Sequence, residues 1–139
     1  MKSRSNVMPG AAYEIERLQN GTASVLFVEN VEEVIPSEEK TYEYDQYRIE
    51  IPYRDTLNAD IEVNFDKWLK FSKDKECDVI GDEIRTERNH LLALCDWTQN
   101  ADSPLDSDQK SAWAAYRQAL RDVPEQQGFP YDVIWPTQP

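Results

Sequence analysis

The sequence predicts an α+β protein in which an N-terminal antiparallel β-hairpin or small sheet precedes two or three helices and an extended C-terminal tail. Apolar residues alternate through the first part of the chain and recur at helical spacing from about residue 56 onward. The last part interleaves prolines with aromatic residues, which disfavours a helix there. With 139 residues the chain has room for one domain. We expect a flexible leader at 1–11, a β-rich part at 12–55 and a helical part at 56–139.

The β-rich part contains one strong turn signal and one irregular strand. Asn20-Gly21 separates two apolar runs and is typical of a tight hairpin turn. Residues 25–28 are apolar on both faces, which predicts a central or doubly covered strand. An acidic connection interrupted by Pro36 follows. The next alternating run shifts phase at Asp45-Gln46, which predicts a bulge or short turn, and should end by Pro52 or lie at an edge.

The helical part begins with two apolar stripes. With Thr56 or Asn58 as its N-cap, the first stripe contains Ile61, Phe65, Trp68 and Leu69. The second contains Ile80, Ile84, Leu91 and Cys95. This pattern predicts either one long bent helix or two helices that meet between Ser72 and Gly81.

A last helix is marked at both ends. Asp106 and Gln109 form a capping-box pattern, and Pro124 should stop the helix. Its apolar stripe, predicted to be buried, contains Trp113, Tyr116, Leu120 and Val123. Trp97, just before this helix, is expected to cover the core.

Composition argues against several function classes. A net charge of −12 disfavours binding to nucleic acid or to an anionic membrane, and no apolar run approaches the ~18 residues of a membrane helix. Cys77, Cys95 and His90 provide neither a disulfide framework nor a convincing metal set, and two free thiols fit an intracellular compartment. The chain has no GxSxG, no Ser-His-Asp order and no phosphate loop, so we expect no enzyme, no cofactor and a solvated His90.

The candidate partner-binding residues lie on the last helix and in the tail. Arg117 and Arg121 are like-charged i, i+4 neighbours. They predict either a structural ion pair to Asp96, Asp122 or Glu87, or a grip on a partner's carboxylates. Phe129, Tyr131 and Trp135, with Val133, alternate as in an extended strand. The tail is expected to fold back over its own core, or to reach a second protein by adding to a sheet edge or docking in a groove.

Three segments in this region occur in a recognisable order: DWTQ at Asp96–Gln99, YRQALRD at 116–122 and FPYDVIWP at 129–136. Over residues 83–139 the sequence resembles the phage tail assembly chaperone family, and YDQYRIEIPYRD at 44–55 is similar to the front half of such phage proteins. The resemblance implies a helper or component in building tails or tail fibres, working through protein contacts in the host bacterial cytoplasm. It implies no catalytic residues.

Two alternatives remain open at the level of sequence. The protein could stay in the virion as a subunit of the tail, baseplate or fibre attachment, where symmetric copies would form a homo-oligomer. It could instead be an acidic DNA mimic that blocks a host protein, an idea that rests on Glu29, Glu32, Glu33, Glu38 and Glu39. The 15 interspersed basic residues disfavour the mimic.

Overall fold

The computed structural model describes residues 1–34 and 40–139. Its strands are Lys2–Ser5 (β1), Tyr13–Arg17 (β2), Thr22–Val34 (β3) and Thr41–Pro52 (β4). Its helices are Leu57–Val63 (α1), Phe65–Leu94 (α2) and Ser107–Arg121 (α3), and 3-10 turns lie at Asp96–Gln99 and Val123–Glu125. The predicted α+β class is therefore confirmed. Pro36, Glu38 and Glu39, on which the acidic connection and part of the mimic hypothesis rest, lie outside the described residues.

The chain divides into two compact units, Met1–Glu76 (the first unit) and Cys77–Pro139 (the second unit). The change from strands to helices falls between β4 and α1, near the predicted residue 56. The division between the units lies further along the chain, within α2.

The four strands form one antiparallel sheet in the order β1-β4-β3-β2. The predicted hairpin at Asn20-Gly21 is confirmed: it joins β2 to β3, and Gly21 has a positive φ of 83°. The Asn20 side chain accepts a hydrogen bond from the Thr22 N–H at 3.0 Å, which fixes the turn. The predicted central position of β3 and the end of the last strand at Pro52 are also confirmed.

The bulge predicted at Asp45-Gln46 of β4 is not found there, because the irregularity lies in the neighbouring strand. The irregularity lies in β3 between Glu29 and Glu32, opposite the stretch of β4 that ends at Asp45, and Asn30 there has a φ of 52°. The aromatic residues of β4 change phase simply because they occupy both faces of one strand. Side chains an odd number of positions apart point to opposite faces, which gives the same sequence pattern as a bulge.

The segment predicted as a flexible leader contains strand β1. Lys2–Ser5 pairs with β4, so that Lys2 is opposite Asp45 and Ser5 is opposite Tyr42. The sequence pattern did not reveal this strand because its side chains are polar. The hydrogen bonds between paired strands come from the backbone and require no apolar periodicity. Arg4 also pairs with Glu43 on β4, and this hydrogen bond lowers the pKa of the Glu43 carboxyl.

The core of the first unit lies between the sheet and the helical residues that follow it. Its fully buried members are Ala23, Val25, Phe27, Leu57 and Ile61. Around Phe27, the rings of Tyr13 and Phe65 lie 6.2 and 5.9 Å away, distances at which tilted aromatic pairs attract. On β4, burial and the nearby carboxylates of Asp45 and Glu29 raise the pKa of Tyr47 to about 12.

Of the two predicted arrangements, the continuous helix is the one found between Ser72 and Gly81, because α2 is helical throughout this stretch and no junction interrupts it there. The break lies earlier, at Asn64, which separates α1 from α2. The polar stretch from 72 to 81 contains good helix formers, and one internal glycine costs a helix only about 1 kcal/mol. Thr56 is the N-cap of α1, as one of the two predicted positions, although its side chain makes no capping hydrogen bond.

Candidate protein-binding surface

Helix α3 organises the second unit. Its predicted capping box is confirmed: the Gln109 N–H donates to Asp106 Oδ1 at 2.8 Å, and the Asp106 N–H donates to Gln109 Oε1 at 3.1 Å. The predicted stripe is buried, with Val123 in the 3-10 turn beyond the helix. The stripe packs on the end of α2 and the loop after it, at Leu91, Leu92, Cys95 and Leu105.

Arg117 is a structural residue within this core. It is only 8% exposed, and its Nη1 donates to Leu92 O at 2.8 Å and contacts Cys95 Sγ at 3.1 Å. Its Nη2 donates to Asp96 Oδ1 at 2.7 Å, so the predicted ion pair to Asp96 is confirmed. Burial by itself opposes the charged form, but the hydrogen bonds to Asp96 and Cys95 outweigh it and raise the pKa of Arg117.

Arg121, one turn later, has the opposite environment. It lies exposed in the last turn of α3, where a cation is favourable for the helix dipole. Within residues 1–34 and 40–139, no side chain or backbone group forms a hydrogen bond or ion pair with its guanidinium. Its donors are therefore available to a carboxylate from another molecule.

Trp97 lies in the 3-10 turn Asp96–Gln99, which Arg117 contacts through Asp96, but it is not buried as predicted. Trp97 is 46% exposed and touches the core only edge-on, with its ring centre 6.0 Å from that of Trp113. Thr98 occupies the buried position instead, and its hydroxyl donates to Cys95 O at 2.7 Å. A single 3-10 turn directs successive side chains in different directions, and here Thr98 points inward.

The first part of the tail folds back. The ring of Phe129 lies beside Gly81, and the Arg85 guanidinium stands 5.2 Å from its centre, within cation–π range. Pro130 is buried. Residues 127–131 lie in turns, so the extended strand predicted from Phe129 onward is not formed over them.

The next residues form a tight loop. It is followed by a pair of hydrogen bonds between the Gln126 side chain and the Ile134 backbone, which we call the clasp. The Asp132 N–H donates to Gly128 O at 2.7 Å. The Gln126 side-chain amide then bonds Ile134 twice, donating through Nε2 to Ile134 O and accepting through Oε1 from Ile134 N–H, each at 2.8 Å. Residues 133–139 carry no regular secondary structure.

This arrangement leaves three large apolar side chains in contact with solvent. Tyr131 is 61% exposed, Ile134 76% and Trp135 36%; we call these three residues the tail surface. Of the predicted candidates, Tyr131 and Trp135 therefore belong to an accessible surface, whereas Phe129 anchors the loop and Arg117 holds the core. Sequence reasoning missed Gln126 and Ile134, because a side-chain clasp across eight residues has no periodic signature.

The first unit has a separate concave feature, a groove of about 500 Å³. Aromatic residues Tyr53, Trp68 and Phe71 line it together with Arg54 and Lys67. Arg54 stands 5.9 Å from the Trp68 ring centre and pairs with Asp60. The groove is apolar and weakly cationic.

Within the part of the chain that the structure describes, no cluster of three His, Cys, Asp or Glu residues is placed to hold a metal ion. His90 is exposed on α2, as predicted. No described helix combines the length and apolar character needed to cross a bilayer.

The comparisons with known proteins bear on the second unit. No curated protein and no solved structure matches the chain. Residues 81–139, which include α3, the Arg117–Asp96 pair and the tail surface, match the family described as phage tail assembly chaperone protein. This confirms the resemblance predicted over 83–139 and supports a role in phage tail assembly. In this segment the chain is similar to the phage tail assembly chaperone family.

Proposed function

We propose that the protein binds a phage tail or tail-fibre protein through its tail surface and assists assembly by protein contacts, without catalysis. The observation that carries the proposal is the exposure of Tyr131, Ile134 and Trp135 on a loop that is itself held in place. Large exposed apolar side chains that follow one another closely in the chain are typical of protein-interaction segments. The same loop lies within the family-matched segment.

The candidate residues divide into two roles. Tyr131, Trp135 and the exposed cation Arg121 would contact the partner. Phe129 and Arg117 would position them, the first by anchoring the loop beside Gly81 and the second by fixing the end of α2 to α3. Aromatic residues and arginine are the types that most often dominate the affinity of protein interfaces.

Assistance would consist of covering apolar or edge-strand surface on the partner until assembly. Such surfaces promote aggregation when left open. The net charge of −12 on this chain would add repulsion between the resulting complexes. We place this activity in the host bacterial cytoplasm during phage assembly.

The test is a pull-down of the tagged full chain from infected or prophage-induced cells, with mass spectrometry of both the eluate and purified phage particles. We expect a tail or fibre protein in the eluate and no copies of this chain in the particles. A fixed number of copies per particle would instead identify a structural subunit. Recovery of host proteins alone would contradict both roles and favour the DNA-mimic hypothesis.

A further inference from the structure

We propose that residues 133–135 bind by strand addition, pairing their backbone with an exposed β-sheet edge of the tail or fibre protein. The inference rests on the proposed function and specifies how the partner is recognised. It comes from three observations: the clasp between Gln126 and Ile134, the backbone on either side of Ile134 that no described residue pairs with, and the loop that fixes both.

The clasp defines the backbone conformation at Ile134. One planar amide reaches both the N–H and the C=O of Ile134, each at 2.8 Å. It can do so only if those two groups point to the same side. This is their orientation in an extended residue, where both face the same neighbouring strand. Gln126 thus takes the place of a strand residue paired with Ile134.

The opposite side of the segment has no backbone partner among residues 1–34 and 40–139. In an extended chain the backbone groups of Val133 and Trp135 point away from the side that Ile134 uses. Within the described ranges, nothing forms a hydrogen bond with the backbone N–H or C=O of these two residues. The segment therefore presents a short open edge. Pro136 has no N–H and limits its length.

The edge is held before any partner arrives. The Asp132 N–H bond to Gly128 O at 2.7 Å closes the preceding loop, and Phe129 anchors it beside Gly81. The loop leaves no space at Gly128, where a Cβ atom would lie 2.3 Å from Asp132 O. Fixing a segment in its bound conformation lowers the entropy cost of binding.

Charge favours a different protein over a second copy as the partner. Each chain carries −12, so two copies repel one another over long range. The open edge itself is uncharged, with Ile134 and Trp135 supplying apolar side chains on alternate faces. Backbone pairing with alternate side-chain contacts is the usual pattern of strand addition. The occupant we infer is thus the unpaired sheet edge of the tail or fibre protein.

The test uses the full chain and, as its probe, the purified tail or fibre protein recovered in the pull-down. Val133→Pro removes the backbone donor at this position, whereas Val133→Ala keeps the donor and removes most of the side chain. We expect Val133→Pro to weaken Kd by about tenfold or more relative to Val133→Ala. Circular dichroism checks that both variants are folded.

Amide hydrogen exchange provides an independent readout, since proline at 133 also restricts the backbone of Asp132. In the complex of the unmodified chain, exchange at the Trp135 N–H should slow markedly relative to the free chain. Equal affinity of the two Val133 variants, together with unchanged exchange at Trp135, would overturn strand addition while leaving the proposed function intact. A dimer of the chain with the same protected amides would overturn the assignment of the partner. Failure to recover any tail or fibre protein would remove the proposed function and this inference together.

Discussion

At the scale of single residues, the surroundings of Arg117 and Arg121 determine whether each arginine has a structural or a binding role. Both are arginines on α3, one turn apart, and their sequence context permits a structural or a binding role for either. Arg117 is buried with partners at 2.7 to 3.1 Å, whereas Arg121 is exposed at the helix end. The sequence predicted Asp96 as one of three candidate partners, but only the position of α3 against the end of α2 selects it.

We therefore expect Arg117→Met to lower the free energy of unfolding of the second unit by about 2–3 kcal/mol. The substitution keeps much of the apolar stem but leaves the carbonyl of Leu92 without its charged donor. Arg121→Met is the matched control and should change stability by no more than about 0.5 kcal/mol. Urea unfolding followed by circular dichroism and tryptophan fluorescence measures both. Equal effects of the two variants would contradict the structural role of Arg117.

At the scale of elements, features with local chemistry were predictable. The Asn20-Gly21 turn, the capping box at Asp106 and the stop before Pro124 each depend on residues within four positions of one another. Strand β1, the break at Asn64 and the Gln126–Ile134 clasp were not predicted. Each depends on backbone pairing or on a contact that no periodic pattern records.

The loop from Gly128 to Asp132 gives a test at this scale. Gly128→Ala should destabilise the loop by roughly 1–3 kcal/mol, because the new methyl group would meet a backbone carbonyl at 2.3 Å. Gly81→Ala is the matched control. Its methyl group would meet the far end of Arg85 at 3.1 Å, which can rotate away, and the Phe129 ring at 3.4 Å, close to an ordinary van der Waals distance. Alanine also favours the helix by up to about 1 kcal/mol.

Thermal and urea unfolding compare the two glycine variants, and hydrogen exchange at Ile134 reports on the clasp directly. We expect faster Ile134 exchange in Gly128→Ala and unchanged exchange in Gly81→Ala. A Gly128→Ala protein with unchanged stability and a protected Ile134 amide would show that the loop is not constrained as described.

At the scale of the whole molecule, the class of partner and the family were predictable from composition and from the family resemblance. Strong negative charge argued against nucleic-acid and membrane partners, and three short segments in order pointed to the family that matches residues 81–139. The tail surface was only partly predictable. Tyr131 and Trp135 stand out as aromatic residues among prolines, but the inward turn of Phe129 and the exposure of Ile134 depend on how the loop closes.

Binding of a phage tail or fibre protein by the tail surface is tested most directly with Trp135→Ala in the pull-down, where the amount of recovered tail or fibre protein is measured. Trp97→Ala is the control, because it removes the same side chain from another exposed position in the second unit. We expect Trp135→Ala to recover much less tail or fibre protein than the unmodified chain while its circular dichroism spectrum is unchanged, and Trp97→Ala to recover a normal amount. Normal recovery by a folded Trp135→Ala protein, or unfolding of that variant, would contradict binding through the tail surface.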